Sequence, residues 1–354
     1  MSLPISPSIE PMLAKATDTV PVGDYAYEPK WDGFRCIVHR DGDDVVLGSR
    51  SGKTLERYFP DVVTAVLTAG LPERCVVDAE IVVPQGDRLD FDRLLDRVHP
   101  ADSRVRRLAA ETPASLVCFD LLAVGDESLL DLPFSQRRTR LEQVAEAVSP
   151  PVYITAITED PATAQSWFDT FEGAGLDGVV AKGRAEPYTP GKRTMLKVKH
   201  HRTADVVVAG YRLHKRSTPD AVLLGSMLLG LYDEAGTLQF IGGCASFSDA
   251  VRAELPVVLD DVRADPADGH PWTPGGDTGD RRPGGQSRWS GKKDQSFVPL
   301  HPVLVVEIAY DQLQGGRLRH AGQFIRFRPD REASSCTYSQ LEVPASYDLA
   351  DVLR

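Results

Sequence analysis

Lys30 sits in the stretch Tyr27-Glu28-Pro29-Lys30-Trp31-Asp32-Gly33-Phe34-Arg35, between a proline and an Asp-Gly pair. Pro29 drives Glu28 towards extended backbone, and Asp32-Gly33 is a strong turn signal. The lysine therefore belongs at a strand end, with its amine facing a cleft. Arg35 stands five residues on as a second cation. A neighbouring positive charge lowers an amine's pKa, and the neutral amine is a nucleophile. Met195-Leu196-Lys197-Val198-Lys199 adds two lysines at a spacing that puts both on one face of a strand. Such a pair can meet a phosphate and lower its own pKa values and that of Lys30. Taken alone, Lys30 reads as a solvated side chain beside a hairpin. The stretches that follow it along the chain change that reading.

The 354 residues suffice for two ordinary domains, and 42% hydrophobic with 26% charged residues is the composition of a globular protein. No uninterrupted apolar run is long enough to cross a bilayer, and the first residues lack a basic start followed by an apolar core. A cytoplasmic, nucleoid-associated monomer is expected. The five cysteines are scattered and form no C-x-x-C pair, which argues against zinc and against a disulfide framework. A net charge of −11 argues against nucleic acid, but its distribution does not. Basic residues cluster over 182–216, 281–293 and 317–331, while acids dominate 41–172. That pattern fits a charged groove on an acidic chain.

Elements to position these residues follow from the pattern. Ile37 to Arg40 and Val45 to Leu47 flank a hairpin turn, and helices are expected over 59–69, 91–98, 133–147 and 163–173. Strands are expected at 75–83, 115–122, 177–182 and 195–199. This alternation predicts an antiparallel α+β domain over residues 1–202. From residue 203 short strands (206–211, 227–232, 238–244) precede one helix over 248–259, and strands resume at 304–310 and 324–328. A small β-barrel of the OB-fold kind is expected over 203–354. Its Gly- and Pro-rich stretch 268–296 reads as a mobile loop.

Seven stretches in order resemble the motifs of the covalent nucleotidyltransferases: DNA ligases that use ATP, RNA ligases and mRNA capping enzymes. The chain most resembles the small two-domain bacterial ATP-dependent DNA ligases, including the ligase modules of end-joining and repair systems. The resemblance implies that Lys30 attacks the α-phosphate of ATP and carries AMP, with Arg35 nearby. It implies that Arg50, in Ser49-Arg50-Ser51-Gly52, grips the ribose or a DNA phosphate, and that Glu80, in Asp78-Ala79-Glu80-Ile81, holds ribose hydroxyls and Mg²⁺ or Mn²⁺. Phe119 would stack on the base, Glu28 would read the adenine amino group, and Asp177 would share the metal. Lys182, Lys197 and Lys199 would meet the nucleotide, the last two at the α-phosphate. Arg326, Arg328, Asp330 and Arg331 would align pyrophosphate, after a rotation about a hinge near residues 202–205. AMP would then pass to a 5′-phosphate at a nick in duplex DNA, and the 3′-hydroxyl would displace it. Arg281, Arg282, Lys292 and Lys293 are candidates for gripping DNA, with repair or end-joining proteins as possible partners. The alternatives are an RNA ligase, a capping-type enzyme using GTP, and a non-catalytic nucleic-acid-binding OB protein. A lysyl adduct formed with ATP or with GTP separates the DNA ligase from the capping-type enzyme.

Overall fold

Strands interspersed with helices build the first part of the chain. The computed structural model describes residues 2–200, 202–265, 269–273, 281–283, 296–341 and 345–353. They form two units: Met1–His200 with Pro344–Arg354, and His201–Val343. The first unit begins with β1 (Leu13–Thr17) and β2 (Tyr25–Pro29), then the hairpin of β3 (Phe34–Asp41) and β4 (Asp44–Ser49). Gly42, at φ 65°, supplies the left-handed backbone that its two-residue loop needs. Pro60 opens α1 (Pro60–Thr68), where its fixed φ suits the first helical turn, and Val62, Ala65 and Val66 face the core. β5 (Arg74–Val82) is followed by the two-residue pairing of β6 (Pro84–Gln85) with β7 (Arg88–Leu89). Asp90 caps α2 (Phe91–Asp96) by accepting from the Arg93 N–H.

α3 (Asp102–Glu111) was not expected, and its composition explains why. It is strongly charged, only Val105 is buried, and no side chain caps its start. β8 (Ser115–Val124) is buried along nearly its whole length, as its apolar run requires. β9 (Glu127–Ser128), α4 (Phe134–Ala145), β10 (Val152–Ile154) and α5 (Pro161–Thr170) follow, then β11 (Val179–Gly183) and β12 (Arg193–Val198). α5 starts earlier than expected because Asp160 caps it, and a 3₁₀ turn carries it to Gly175, not Gly173, as the left-handed stop.

The strands form two sheets. One has the order β1-β12-β11-β2, and the other the order β10-β8-β5-β3-β4, with β9 beside β8. Pairing is antiparallel except between β1 and β12 and between β8 and β10. α1 and α4 close one side of the second sheet, burying Phe59, Val62, Val66 and Leu141 against Val38, Val77 and Leu121. Each such side chain contributes about 1.5–3 kcal/mol on burial.

Between β8 and α4 lies a buried ion pair. Arg137 (0% exposed) meets Asp120 (1%) through Nε–Oδ1 at 2.8 Å and Nη2–Oδ2 at 2.9 Å. Breaking such a pair leaves a buried charge uncompensated. Asp120→Ala is expected to cost roughly 3–5 kcal/mol, read as a lower midpoint in urea.

The second unit is a five-stranded antiparallel sheet of order β15-β14-β13-β16-β19. Its strands are β13 (Arg202–Leu213), β14 (Leu224–Tyr232), β15 (Leu238–Cys244), β16 (Val298–Tyr310) and β19 (Gln323–Phe327). α6 (Asp249–Asp260), capped by Ser248, lies between β15 and β16, and a small ribbon of β17 (Leu313–Gln314) and β18 (Arg317–Leu318) precedes β19. A register shift at Val208/Gly210 bends the long β13 so that it can pair on both sides. This is the OB-fold topology.

Three expectations change here. The first unit ends at His200, and residues from Pro344 onward return to it, so neither expected domain boundary, 202 or 354, stands as drawn. Residues 202–205, expected as a hinge, open β13 and are paired with β16 (Thr203 with Ala309, Asp205 with Glu307), so flexing there would break a ladder. Residues 199–201 are what lies between β12 and β13. Much of the stretch 268–296, Lys292 and Lys293 included, falls outside the described residues. The described part is anchored: His270 Nε2 lies 2.8 Å from the Ala209 carbonyl, Trp272 donates its indole N–H to Leu238, and the Arg281 carbonyl accepts from the Phe240 N–H.

All five cysteines are free and buried. Burial raises the Cys75 thiol to about 12 and those of Cys244 and Cys336 to about 11, and it pushes Cys36 and Cys118 up as well. Thiolate is the reactive form. The native protein is therefore expected to take up no iodoacetamide at pH 8, and all five labels after denaturation, by intact mass.

Candidate active site

The nucleophile loop is held by the backbone first. The Lys30 N–H donates to the Gly178 carbonyl at 2.8 Å, and the Asp177 N–H donates to the Lys30 carbonyl at 2.9 Å. These reciprocal bonds join the end of β2 to the start of β11. Gly178, at φ 121°, lets that junction lie close to β12, since a Cβ there would come 2.0 Å from the Val198 carbonyl oxygen. Gly33 is needed for the same reason, because a Cβ would meet the Ile81 carbonyl oxygen at 2.2 Å.

On this frame the side chains converge. Lys30 Nζ donates to Asp177 Oδ2 at 2.7 Å, and Lys199 Nζ lies 2.6 Å from the same oxygen. Burial raises the Asp177 pKa, but Lys30 and Lys199 outweigh it and hold the carboxyl below its ordinary value. Lys197 completes the group. Burial, then Lys199 and Lys30, lower its amine below the usual lysine value, against Asp177, and Arg50 adds to the same field. The expected crowding of lysines is present, and Lys197 is where its effect shows.

Arg35 is paired. Its guanidinium meets Asp78 at 2.6 Å (Nε–Oδ1) and 2.5 Å (Nη2–Oδ2), and its Cζ lies 4.7 Å from the centre of the Phe119 ring. Asp78 is fully buried and also accepts from the Tyr188 hydroxyl at 2.7 Å. The Arg35 charge is therefore compensated and does not bear on Lys30 as a free cation would. Asp78 and Tyr188 were missed from sequence. An acid inside an apolar strand run was the available signal, since such an acid needs a cation. Ala79 is fully buried in β5, beside a register shift against β8, and among the described residues none other than glycine has positive φ, so its backbone does not call for glycine.

Glu80 lies opposite Arg35 across the β3–β5 ladder. Burial lifts its carboxyl to about 7, with Arg35 and Lys30 pulling the other way. Phe119 is buried, and Lys182 Nζ sits 4.9 Å from its ring centre while donating to its carbonyl at 2.9 Å. Lys182 also pairs with Glu28 Oε2 at 2.7 Å, so it secures Glu28. Burial raises the Glu28 pKa, against Lys182 and Arg138. Glu28 Oε1 is buried without a hydrogen-bond partner, with Arg138 Nη1 3.8 Å away.

In the second unit Arg326 pairs with Glu307 at 2.7 Å. Arg328 meets Asp205 at 2.9 Å and Asp330 at 2.8 Å, and Arg331 meets Asp205 at 3.3 Å. Hydrogen bonding by Arg328 lowers Asp330 to about 2. Asp205 was not anticipated as the acid that gathers this cluster. Arg50 and Arg282 are exposed, while Arg281 is partly buried and hydrogen-bonds Tyr338.

A two-sheet domain that crowds three lysines around one carboxylate, followed by an OB barrel, defines the class of covalent nucleotidyltransferases. The comparisons narrow the class. Residues 11–199 match the ATP dependent DNA ligase domain, and residues 220–331 match the ATP dependent DNA ligase C terminal region. The chain belongs to the ATP-dependent DNA ligase family, enzymes that use ATP as co-substrate together with a divalent metal. It is 52% identical to DNA ligase C2 of Mycolicibacterium smegmatis, over 97% of each chain. It is 49% identical to DNA ligase C of Mycobacterium tuberculosis, over 100% of this chain and 99% of that one. Its fold is shared with a structure of a Lig E DNA ligase at a TM-score of 0.56 and 17% identity, over 90% of this chain and 100% of the other. Among the described residues no helix is long and apolar enough to cross a membrane.

Proposed function

We propose that this ligase seals nicks bearing a 5′-phosphate and a 3′-hydroxyl in duplex DNA, in repair or end joining, with Lys30 as the nucleophile. The carrying observation is the single Asp177 oxygen that holds both Lys30, at 2.7 Å, and Lys199, at 2.6 Å. Attack requires the neutral amine, so the Lys30 proton has to leave, and Asp177 is the base within reach. The bond from Nζ to the α-phosphorus forms as the bond to pyrophosphate breaks. Lys197 and Lys199 stand where negative charge builds on the α-phosphate.

Glu80 fits the metal better than Asp177 does. Its burial-raised carboxylate is under-compensated and a dication would relieve it, whereas one Asp177 oxygen is shared by two ammonium groups. No cluster of three or more metal-ligating side chains occurs among the described residues, so phosphate oxygens would complete the coordination. The metal would supply charge neutralisation at the α-phosphate. The unpartnered Glu28 Oε1 suits an amino donor such as that of adenine, and Phe119 offers the base a ring. Arg326, Arg328 and Arg331 would exchange their carboxylates for pyrophosphate oxygens, and Arg50, Arg281 and Arg282 would take DNA phosphates. The protein would act as a monomer, with other repair proteins bringing it to the break.

The test is a 5′-phosphorylated nick with ATP and Mg²⁺, for which a sealed strand is expected. A lysyl-AMP adduct without sealing would move the acceptor to RNA, and an adduct with GTP alone would favour the capping-type reading.

A further inference from the structure

Residues 345–353 lie in the first unit, although the chain up to Val343 belongs to the second. Leu349 and Val352, 2% and 3% exposed, share one buried cluster with Trp31, Val82, Phe171 and Leu176. The attachment is built in detail. The Leu349 N–H donates to the Asp87 carbonyl at 2.8 Å, and the Tyr347 ring lies 5.0 Å from that of Phe171. Gly173 leaves the space, since a Cβ there would come 1.8 Å from the Ala345 carbonyl oxygen.

The cluster lies beside the chemistry in sequence at three places. Trp31 follows Lys30, Leu176 precedes Asp177, and Val82 is two residues after Glu80. The reciprocal backbone bonds between Lys30 and the 177–178 turn fix the two loops to each other, and the cluster fixes both to the domain. Leu349 and Val352 are the part of that cluster that arrives from beyond the OB barrel. We propose that residues 345–353 form a strap that positions Lys30 and Asp177 for lysyl-AMP formation, with Leu349 and Val352 acting through Trp31 and Leu176. This rests on the reading of Lys30 as nucleophile.

Truncating Leu349 leaves a cavity in the cluster that holds Trp31 and Leu176, and interiors relax only partly into such cavities. A misplacement on the order of 1 Å in a reacting group costs about 10²-fold in rate. The test compares two rates in Leu349→Ala: AMP transfer from ATP to the protein in a single turnover, and sealing of a pre-adenylylated nick. The second reaction makes no bond to Lys30. Adduct formation is expected to fall by at least about tenfold, with sealing of the pre-adenylylated nick held within about twofold. Tyr347→Ala, which trims the ring contact with Phe171, is expected to show the same split at smaller size, and it decides the matter where Leu349→Ala fails to fold. Equal losses in both reactions, or no loss in either, overturn the strap. Uptake of AMP by Lys30→Ala would instead overturn the reading of the nucleophile and leave the two-rate comparison interpretable.

Discussion

Lys30→Ala is expected to form no lysyl-AMP and to seal no nick from ATP, a loss of more than about 10³-fold, while still sealing a nick that is already adenylylated. Transfer of label from α-labelled ATP to the protein measures the first, and strand joining measures the second. The sharpness of the expectation comes from the neighbourhood. Lys197 has a lowered pKa in the same cluster, which favours its neutral amine as a substitute. Residual adduct in Lys30→Ala would therefore point to Lys197, and the adducted peptide would show it. Lys30→Arg is expected to be equally inactive, because a guanidinium keeps its proton and has no lone pair to give. Neither change should unfold the protein, since the Lys30 side chain is 20% exposed and its loop is held through backbone atoms.

What the sequence made legible was the set of residues, and what it concealed was their pairing. Lys30, Asp177, Lys197 and Lys199 lie in order along the chain and converge as expected, because strand ends and turn signals place them. The OB barrel was readable from evenly spaced short strands with a single capped helix. Charged residues carried no sign of their partners. Arg35, Lys182, Arg326 and Arg328 were read as groups offered to a ligand, and the structure pairs each of them with Asp78, Glu28, Glu307 or Asp205. An ion pair joins residues far apart in sequence, so neither partner carries a local mark of the other. α3 was missed because it is strongly charged, buries only Val105 and has no capping side chain, and the strap because its apolar residues read as part of the second domain.

Asp177 separates charge from geometry. Asp177→Ala removes both and is expected to slow lysyl-AMP formation by about 100-fold or more, the scale of a misplaced nucleophile. Asp177→Asn keeps the size and one acceptor oxygen but leaves Lys30 and Lys199 facing each other without a compensating charge. Its expected loss is about tenfold, between wild type and alanine. Stability supplies an independent reading with a definite sign. The folded carboxyl is held below its ordinary value of 3.8, against burial, by Lys30 and Lys199. Its contribution is therefore complete above that pH and is lost as pH falls through the lower folded value. Asp177→Asn should unfold at less denaturant than wild type at pH 7, and the two should draw together below pH 3.8. If asparagine and alanine are equally slow, the negative charge is what the reaction uses. If asparagine matches wild type in rate while losing stability at pH 7, Asp177 serves to hold the two lysines in place and the proton leaves Lys30 by another route.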